Sequence, residues 1–331
     1  MAFVPSENHP HAEPARHIPG RAAAELTAAL ESPFDAPTTP YAFQYGLLGK
    51  AKADKKTIVL PEGEEDRIIK AADYLLEREI VNLIIVGNKD AILARGKELG
   101  LNYLERARFQ AMDDENVLKP MVAKLCELRA KKGMTEEQAR KQLADASYFG
   151  TMLVVLGYAD GLVSGSVNST ANTVRPALQL IKTAPGCTLV SSVFFMLFPE
   201  QVLVYGDCVM NPHPSATELA EIALQSADSA AAFGITPRVA MISYSSGESA
   251  SGEEVEKVRE ATLLAHEAQN ALLIDGPLQY DAAANETVAR QLAPDSLVAG
   301  KATVFVFPDL NTGNTTHKAV QRSADCVSLG P

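Results

Sequence analysis

The chain has 331 residues, of which 47% are hydrophobic and 21% are charged, a composition typical of globular proteins that bury a core unaided. Its formal net charge of −11 argues against nucleic-acid binding, since nucleic-acid-binding proteins normally present a basic surface. The four cysteines lie far apart, which disfavours a disulfide framework or a zinc motif. No run of about 18 apolar residues predicts a membrane span, and no signal-peptide pattern opens the chain. We therefore expect a cytoplasmic protein without nucleic-acid or membrane partners.

Residues 1–42 differ from the rest of the chain because they are rich in proline and poor in large apolar side chains. Such a segment cannot bury enough surface to offset its conformational entropy, so we predict a mostly disordered leader. Its three histidines, His9, His11 and His17, could bind a metal ion. A flexible tail that happens to contain histidine is the favoured interpretation, and no metal site is expected.

From Lys56 onward, short β-branched apolar runs alternate with longer helical patterns. The predicted strands are residues 57–60, 81–86, 161–164, 202–205, 239–242, 272–274 and 303–307. The clearest predicted helices are residues 66–78, 117–132 and 216–232, the last of which opens with the capping box Ser215-x-x-Glu218. This alternation predicts an α/β protein with mainly parallel sheets and helices on both faces, in which ligands bind beyond the carboxyl ends of the strands.

The segment from Ser164 to Pro176 is the sharpest candidate for an anion site. It is rich in Ser, Thr and Asn, follows a predicted strand and opens a helix. Pro176 suits the first helical position, which would place Arg175 at the helix start beside free N–H groups and the positive end of the dipole. An ordinary N-cap loop with a surface arginine is the alternative. The candidate phosphate ligands are Arg175, Ser164, Ser166, Ser169, Thr170 and Thr173.

Three other segments have equally good or better structural explanations. After the strand at 303–307, Asp309 either caps the next helix, or Asn311 and Asn314 bind a substrate amide or carbonyl. The acids of residues 62–66 mainly indicate helix capping. Arg129 stands in a cationic helix end that a glycine terminates, so composition alone does not single it out.

Several well-known motifs are absent from the sequence. We find no P-loop, no G-x-G-x-x-G after a strand, no H-E-x-x-H and no G-x-S-x-G. Nucleoside-triphosphate, dinucleotide, zinc-protease and serine-hydrolase functions are therefore disfavoured.

Seven long sequence blocks carry a resemblance to a known family. They are KKTIVLPEGEEDRIIKAA, ELRAKKGMT, DGLVSGSVNSTANTVRPALQLIKTAPG, SSVFFMLFPEQVLVYGDC, QSADSAAAFGITPRVAMISYSSG, IDGPLQYDAA and AGKATVFVFPDLNTGNTTHKAVQRSA. In this order they resemble the catalytic domain of bacterial phosphate acetyltransferases from about Tyr45 to Pro331. The resemblance implies a two-domain fold of the isocitrate/isopropylmalate-dehydrogenase type, with residues 43–185 in the first α/β domain and 186–331 in the second. It also implies a homodimer whose site lies between the domains.

The activity that the resemblance implies is the transfer of acetyl between coenzyme A and inorganic phosphate, by direct thiolate attack in a ternary complex. It implies no metal and no cofactor, because coenzyme A is a substrate. Arg175 matches the family's R-P arginine and Arg129 its E-L-R arginine, which would anchor phosphate and stabilise transition-state charge. A phosphate butyryltransferase and an inactive fragment that binds coenzyme A or phosphate are the alternatives. A dehydrogenase of the same fold would need a carboxylate metal cluster and a cofactor loop, neither of which is found.

The sequence departs from the family pattern in two places. Asn168 stands where relatives commonly have His, which puts a proton-transfer role there in doubt. The family also continues beyond the position of Pro331 with a Ser-Arg pair and an Asp proposed as the general base. We therefore expect a C-terminally truncated chain with low activity by itself.

Overall fold

A computed structural model describes residues 38–331 of the chain. The predicted leader lies almost entirely outside these residues, as do His9, His11 and His17. Its last residues are ordered, however, because helix α1 begins at Pro40. Thr39 caps this helix by accepting a hydrogen bond from the N–H of Ala42 at 3.3 Å, and Pro40 takes the first helical position. The predicted leader is therefore too long at its C-terminal end.

Twelve α-helices and ten β-strands make up the described part of the chain. The helices are α1 (Pro40–Ala53), α2 (Asp66–Glu77), α3 (Lys89–Glu98), α4 (Glu115–Leu128), α5 (Glu136–Leu143), α6 (Ala146–Val155), α7 (Thr170–Leu180), α8 (Ala216–Ala232), α9 (Glu253–Ala268), α10 (Tyr280–Ala284), α11 (Glu286–Leu292) and α12 (Leu310–Ser323). The strands are β1 (Thr57–Leu60), β2 (Asn82–Val86), β3 (Arg108–Gln110), β4 (Gly161–Leu162), β5 (Val193–Leu197), β6 (Val202–Gly206), β7 (Arg238–Ile242), β8 (Leu273–Leu278), β9 (Val304–Val306) and β10 (Val327–Leu329). No helix among these is long and apolar enough to cross a membrane.

The first sheet has four parallel strands in the order β3-β2-β1-β4. Alternate residues of its strands enter two different apolar clusters, as the period of two in a β-strand requires. Val59 and Ile84 lie in the cluster on one face, whereas Leu60 and Ile85 lie in the cluster on the other. Helices therefore cover both faces, which confirms the predicted arrangement.

The second sheet has six strands in the order β10-β5-β6-β9-β7-β8. The pairs among β6, β9, β7 and β8 are parallel, whereas β5 runs antiparallel to both β6 and β10. Val204 and Val304 face one apolar cluster and Tyr205 and Phe305 face the other. The mixed α/β class with mainly parallel sheets is thus confirmed, with an antiparallel edge that the sequence analysis missed.

Helix α1 packs against the second sheet, although it precedes β1 of the first sheet in the chain. Phe43 is 4% exposed and its ring centroid lies 5.2 Å from that of Phe195 in β5. Lys50 donates to the carbonyl oxygen of Ala232 at the end of α8 at 2.9 Å. The predicted division of the chain at residue 185 stays a prediction.

Replacing Phe43 by alanine removes most of the apolar contact of α1, so we expect the free energy of unfolding to fall by about 3–5 kcal/mol. Urea unfolding followed by circular dichroism would measure the loss. Tyr45 on the same helix is 83% exposed, so Tyr45→Ala serves as the control and should change stability by less than about 0.5 kcal/mol. Equal, small losses in the two variants would contradict the packing described for α1.

Candidate active site

The candidate segment leaves the edge strand of the first sheet beside the end of β1. Strand β4 pairs with β1 in parallel, and Val163 extends the pairing by donating its N–H to the carbonyl oxygen of Val59 at 3.0 Å. The carboxyl ends of β1 and β4 therefore lie side by side. The connection from β1 to α2 starts here, and it carries Glu62.

The carboxylate of Glu62 accepts five hydrogen bonds from the candidate segment. The backbone N–H groups of Gly165, Ser166, Val167 and Asn168 donate to it at 3.1, 2.8, 3.0 and 2.9 Å, and the side-chain amide of Asn168 donates at 2.9 Å. We call this arrangement the Glu62 clamp. The acids of residues 62–66 predict mainly helix caps, and for Glu62 this prediction is wrong.

Two physical features make the Glu62 clamp work. Gly165 has a φ of 108°, a conformation that favours glycine and that lets successive N–H groups turn towards one acceptor. Glu62 is 9% exposed, and burial by itself raises the pKa of its carboxyl. The backbone N–H bonds outweigh that effect, so the net pKa of Glu62 lies below its ordinary value. The clamp therefore stabilises the fold above the pKa of an unfolded glutamate, and the stabilisation is lost as the pH falls through the lowered pKa.

The loop is also held through a carbonyl oxygen. The guanidinium of Arg67 donates to the backbone oxygen of Ser166 at 2.8 Å and to the carboxylate of Glu65 at 2.6 Å. Glu65 itself caps α2 by accepting from the N–H of Arg67 at 2.7 Å, which confirms the capping interpretation for this acid. No local signal in the sequence distinguishes Glu62 from the neighbouring acids, because its partners lie 103 to 106 residues away.

Helix α7 begins earlier than predicted. Ser169 is its N-cap and accepts from the N–H of Asn172 at 3.3 Å, so the first helical residue is Thr170. Arg175 therefore lies in the second turn, not at the helix start, and Pro176 lies inside the helix. The proline lacks the N–H that would bond the Asn172 carbonyl four residues before it, a loss that this helix accommodates.

The residues around the start of α7 still leave groups free for an anion. Arg175 is exposed and makes no hydrogen bond or ion pair within residues 38–331. The N–H groups of Thr170 and Ala171, in the first helical turn, have no partner inside the helix. The hydroxyl oxygens of Ser164 and Thr173 are buried and have no hydrogen-bond partner in the described structure. Thr173 Oγ1 lies 3.7 Å from the position that a Cβ on Gly165 would take, so it adjoins the clamped loop.

Arg129 lies at the C-terminal end of helix α4, which packs against the first sheet. Helix α4 begins beside the end of β3, where Gln110 donates to the carboxylate of Asp114 at 3.4 Å. Arg129 follows the last residue of this helix. At a rise of 1.5 Å per residue, the two ends of the 14-residue helix are about 21 Å apart. The Nε of Arg129 is buried without a hydrogen-bond partner. No hydrogen bond or ion pair between described residues joins its guanidinium to residues 164–175.

The candidate residues after β9 belong to the second sheet. Asp309 caps α12 by accepting from the N–H of Thr312 at 2.8 Å, which confirms the capping alternative. Asn314 donates its side-chain amide to the carbonyl oxygen of Cys208 at 3.0 Å, and Asn311 is exposed. Within residues 38–331, no group of three or more His, Cys, Asp or Glu side chains is arranged to hold a metal ion.

The chain is similar to known proteins over most of its length. Residues 42–331 match the sequence profile of the family described as "Phosphate acetyl/butaryl transferase". Phosphate acetyltransferase of Pseudomonas putida is 59% identical over 309 residues, which are 93% of this chain and 44% of that protein. Phosphate acetyltransferase of Salmonella typhimurium is 59% identical over 297 residues, 88% of this chain and 41% of that protein. This chain thus spans less than half the length of these two relatives.

A solved structure agrees with the fold. The EutD phosphotransacetylase from Staphylococcus aureus superposes with a TM-score of 0.79 at 40% identity, over 87% of this chain and 88% of that one. Together with the profile match, this similarity shows that the chain belongs to the phosphate acetyl/butyryl transferase family.

Proposed function

We propose that the chain catalyses, or carries the catalytic residues for, reversible acetyl transfer between coenzyme A and inorganic phosphate. The observation that supports this most directly is Arg175, an exposed cation with no ion pair among residues 38–331, on a helix whose first-turn N–H groups are free. Such a set of groups suits a phosphate oxyanion. The 59% identity with two curated phosphate acetyltransferases supports the acetyl substrate.

In the proposed reaction the protein forms no covalent bond to the substrates and instead stabilises the negative charge of the transition state. The thiolate of coenzyme A attacks the carbonyl carbon of acetyl phosphate, a C–S bond forms, the C–O bond to phosphate breaks, and phosphate leaves with the electron pair. Negative charge builds up on the carbonyl and phosphate oxygens in the transition state. Arg175 would neutralise that charge, with hydrogen bonds from Ser164, Ser169, Thr170 and Thr173 orienting the phosphate. No metal and no cofactor is part of this proposal.

The remaining candidate residues take less direct roles in the proposal. Ser166 contributes its backbone to the Glu62 clamp, and its hydroxyl would complete the phosphate ligands. Arg129 would act as the second cation, a role that rests on the family's E-L-R motif alone. Asn311 and Asn314 would face the substrates from the second sheet.

The proposal extends to the arrangement of the chain. We place the site between two α/β units of the isocitrate/isopropylmalate-dehydrogenase type, with the boundary near residue 185. Since α1 packs against the second sheet, it would belong to the second unit. We also propose that the protein is a homodimer located in the cytoplasm.

Mixing the chain with acetyl phosphate and coenzyme A should raise the thioester absorbance if the chain itself catalyses the transfer. Butyryl phosphate should be used with a kcat/KM at least about tenfold lower, since each methylene that a pocket excludes changes the barrier by about 1–3 kcal/mol. Equal or faster use of butyryl phosphate would instead assign a butyryltransferase, which the family also contains. Coenzyme A binding without thioester formation would indicate a binding fragment.

Arg175→Ala should lower kcat/KM for phosphate by about a hundredfold, because the variant loses a cation that the transition state uses. Arg322 in the last turn of α12 is a matched control, since it is also exposed and without an ion pair in the described chain. Arg322→Ala should change kcat/KM by less than twofold. Initial rates at varied phosphate and fixed acetyl-CoA would measure both, and similar small effects would contradict the assignment of Arg175.

A further inference from the structure

The Glu62 clamp occupies four backbone N–H groups of the segment in which the sequence predicts that phosphate binds. Four consecutive N–H groups that converge on one point form a typical anion-binding concavity. Here the anion is a side chain of the protein itself, 103 to 106 residues away in sequence. A substrate phosphate therefore has no access to these N–H groups while Glu62 keeps its position.

Two residues that the sequence predicts as phosphate ligands flank the clamped stretch, one on each side. Ser164 immediately precedes Gly165, and its hydroxyl oxygen is buried and unpartnered. Ser169 follows Asn168 directly and begins α7, which carries Arg175. Any movement of residues 165–168 would thus displace both groups at once.

We propose that Glu62 is a positioning residue for phosphate binding, an inference that rests on the proposed function. Its carboxylate fixes the backbone of residues 165–168, and this holds Ser164 and the first turn of α7 where they can contact one phosphate. Glu62 itself does not touch the substrate. Arg67 supports the same loop from the other side through the carbonyl oxygen of Ser166.

The alternative is that Glu62 mimics the substrate and leaves when phosphate arrives. Displacement would break five hydrogen bonds to a carboxylate that is 9% exposed. Hydrogen bonds to an ionised acceptor are about twice as strong as neutral ones, so this displacement is costly. The two interpretations predict opposite effects of neutralising Glu62, which makes them separable.

Glu62→Gln tests the inference because glutamine has the same size but places an NH₂ group against backbone N–H donors. We expect the dissociation constant for inorganic phosphate to rise about tenfold or more, because the variant keeps only one of the two acceptor oxygens and has no negative charge. The dissociation constant for coenzyme A should change less than twofold. Isothermal titration with phosphate and with coenzyme A measures both. Glu64→Gln is the matched control, because Glu64 is exposed, lies two residues away and carries the same charge.

A milder variant guards against loss of the fold in Glu62→Gln. Asn168→Ala removes only the side-chain donor of the clamp and leaves the four N–H bonds. It should weaken phosphate binding about two- to fivefold, in proportion to one lost hydrogen bond among five. Amide hydrogen exchange at residues 165–168 should quicken in both variants and stay unchanged in Glu64→Gln.

Several results would overturn the inference. Phosphate affinity in Glu62→Gln equal to that of the unaltered chain would do so, as would tighter binding, which would show that Glu62 competes with the substrate. If Glu62→Gln unfolds, unchanged phosphate affinity in Asn168→Ala would overturn it instead. Thioester formation is measured on the same samples. An unaltered chain that binds phosphate without forming thioester would contradict catalysis by this chain itself, while the effect of the clamp on phosphate affinity would still be decided.

Discussion

The shape of the candidate site depends on one buried carboxylate that is surrounded by backbone N–H groups. Glu62 follows β1 and its partners follow β4, so the clamp joins two neighbouring strand ends of the first sheet. If the acceptor were removed, four backbone N–H groups of this half-buried loop would lose their partner. The clamp therefore restrains the loop, and helix α7 begins directly after it. Arg175 is positioned by that helix.

The second sheet uses a buried carboxylate in a similar way. Asp207 follows β6, is 3% exposed, and accepts hydrogen bonds from the N–H groups of Val209 at 2.9 Å and Asn211 at 2.7 Å. The partners here are local, whereas those of Glu62 are more than 100 residues away. An acidic chain thus stabilises two strand-end loops with its own carboxylates. Arg175 differs because no carboxylate pairs with it in the described residues, so its charge stays available for a ligand.

The sequence predicted the elements that have a clear apolar period and local caps. Helix α8 has the predicted bounds because its capping box is a local signal. Strand β1 was predicted because it is a run of mainly β-branched residues with turns on either side. Strand β3 was not predicted, because its three residues, Arg108–Gln110, include one apolar side chain and so show no period. The start of α7 was misplaced because the Arg-Pro signal was given more weight than Ser169. Glu62 could not be assigned, since hydrogen bonds over 103 residues follow from strand order and not from local pattern.

The pKa of Glu62 tests this account most directly. Carbon NMR of the side-chain carboxyl over a pH series would give it, with the Glu62→Gln spectrum identifying the resonance. Burial alone would raise the pKa, and the converging N–H groups lower it. We predict a pKa below the ordinary glutamate value of about 4.3. A pKa at or above that value would contradict the Glu62 clamp and the role that we propose for it.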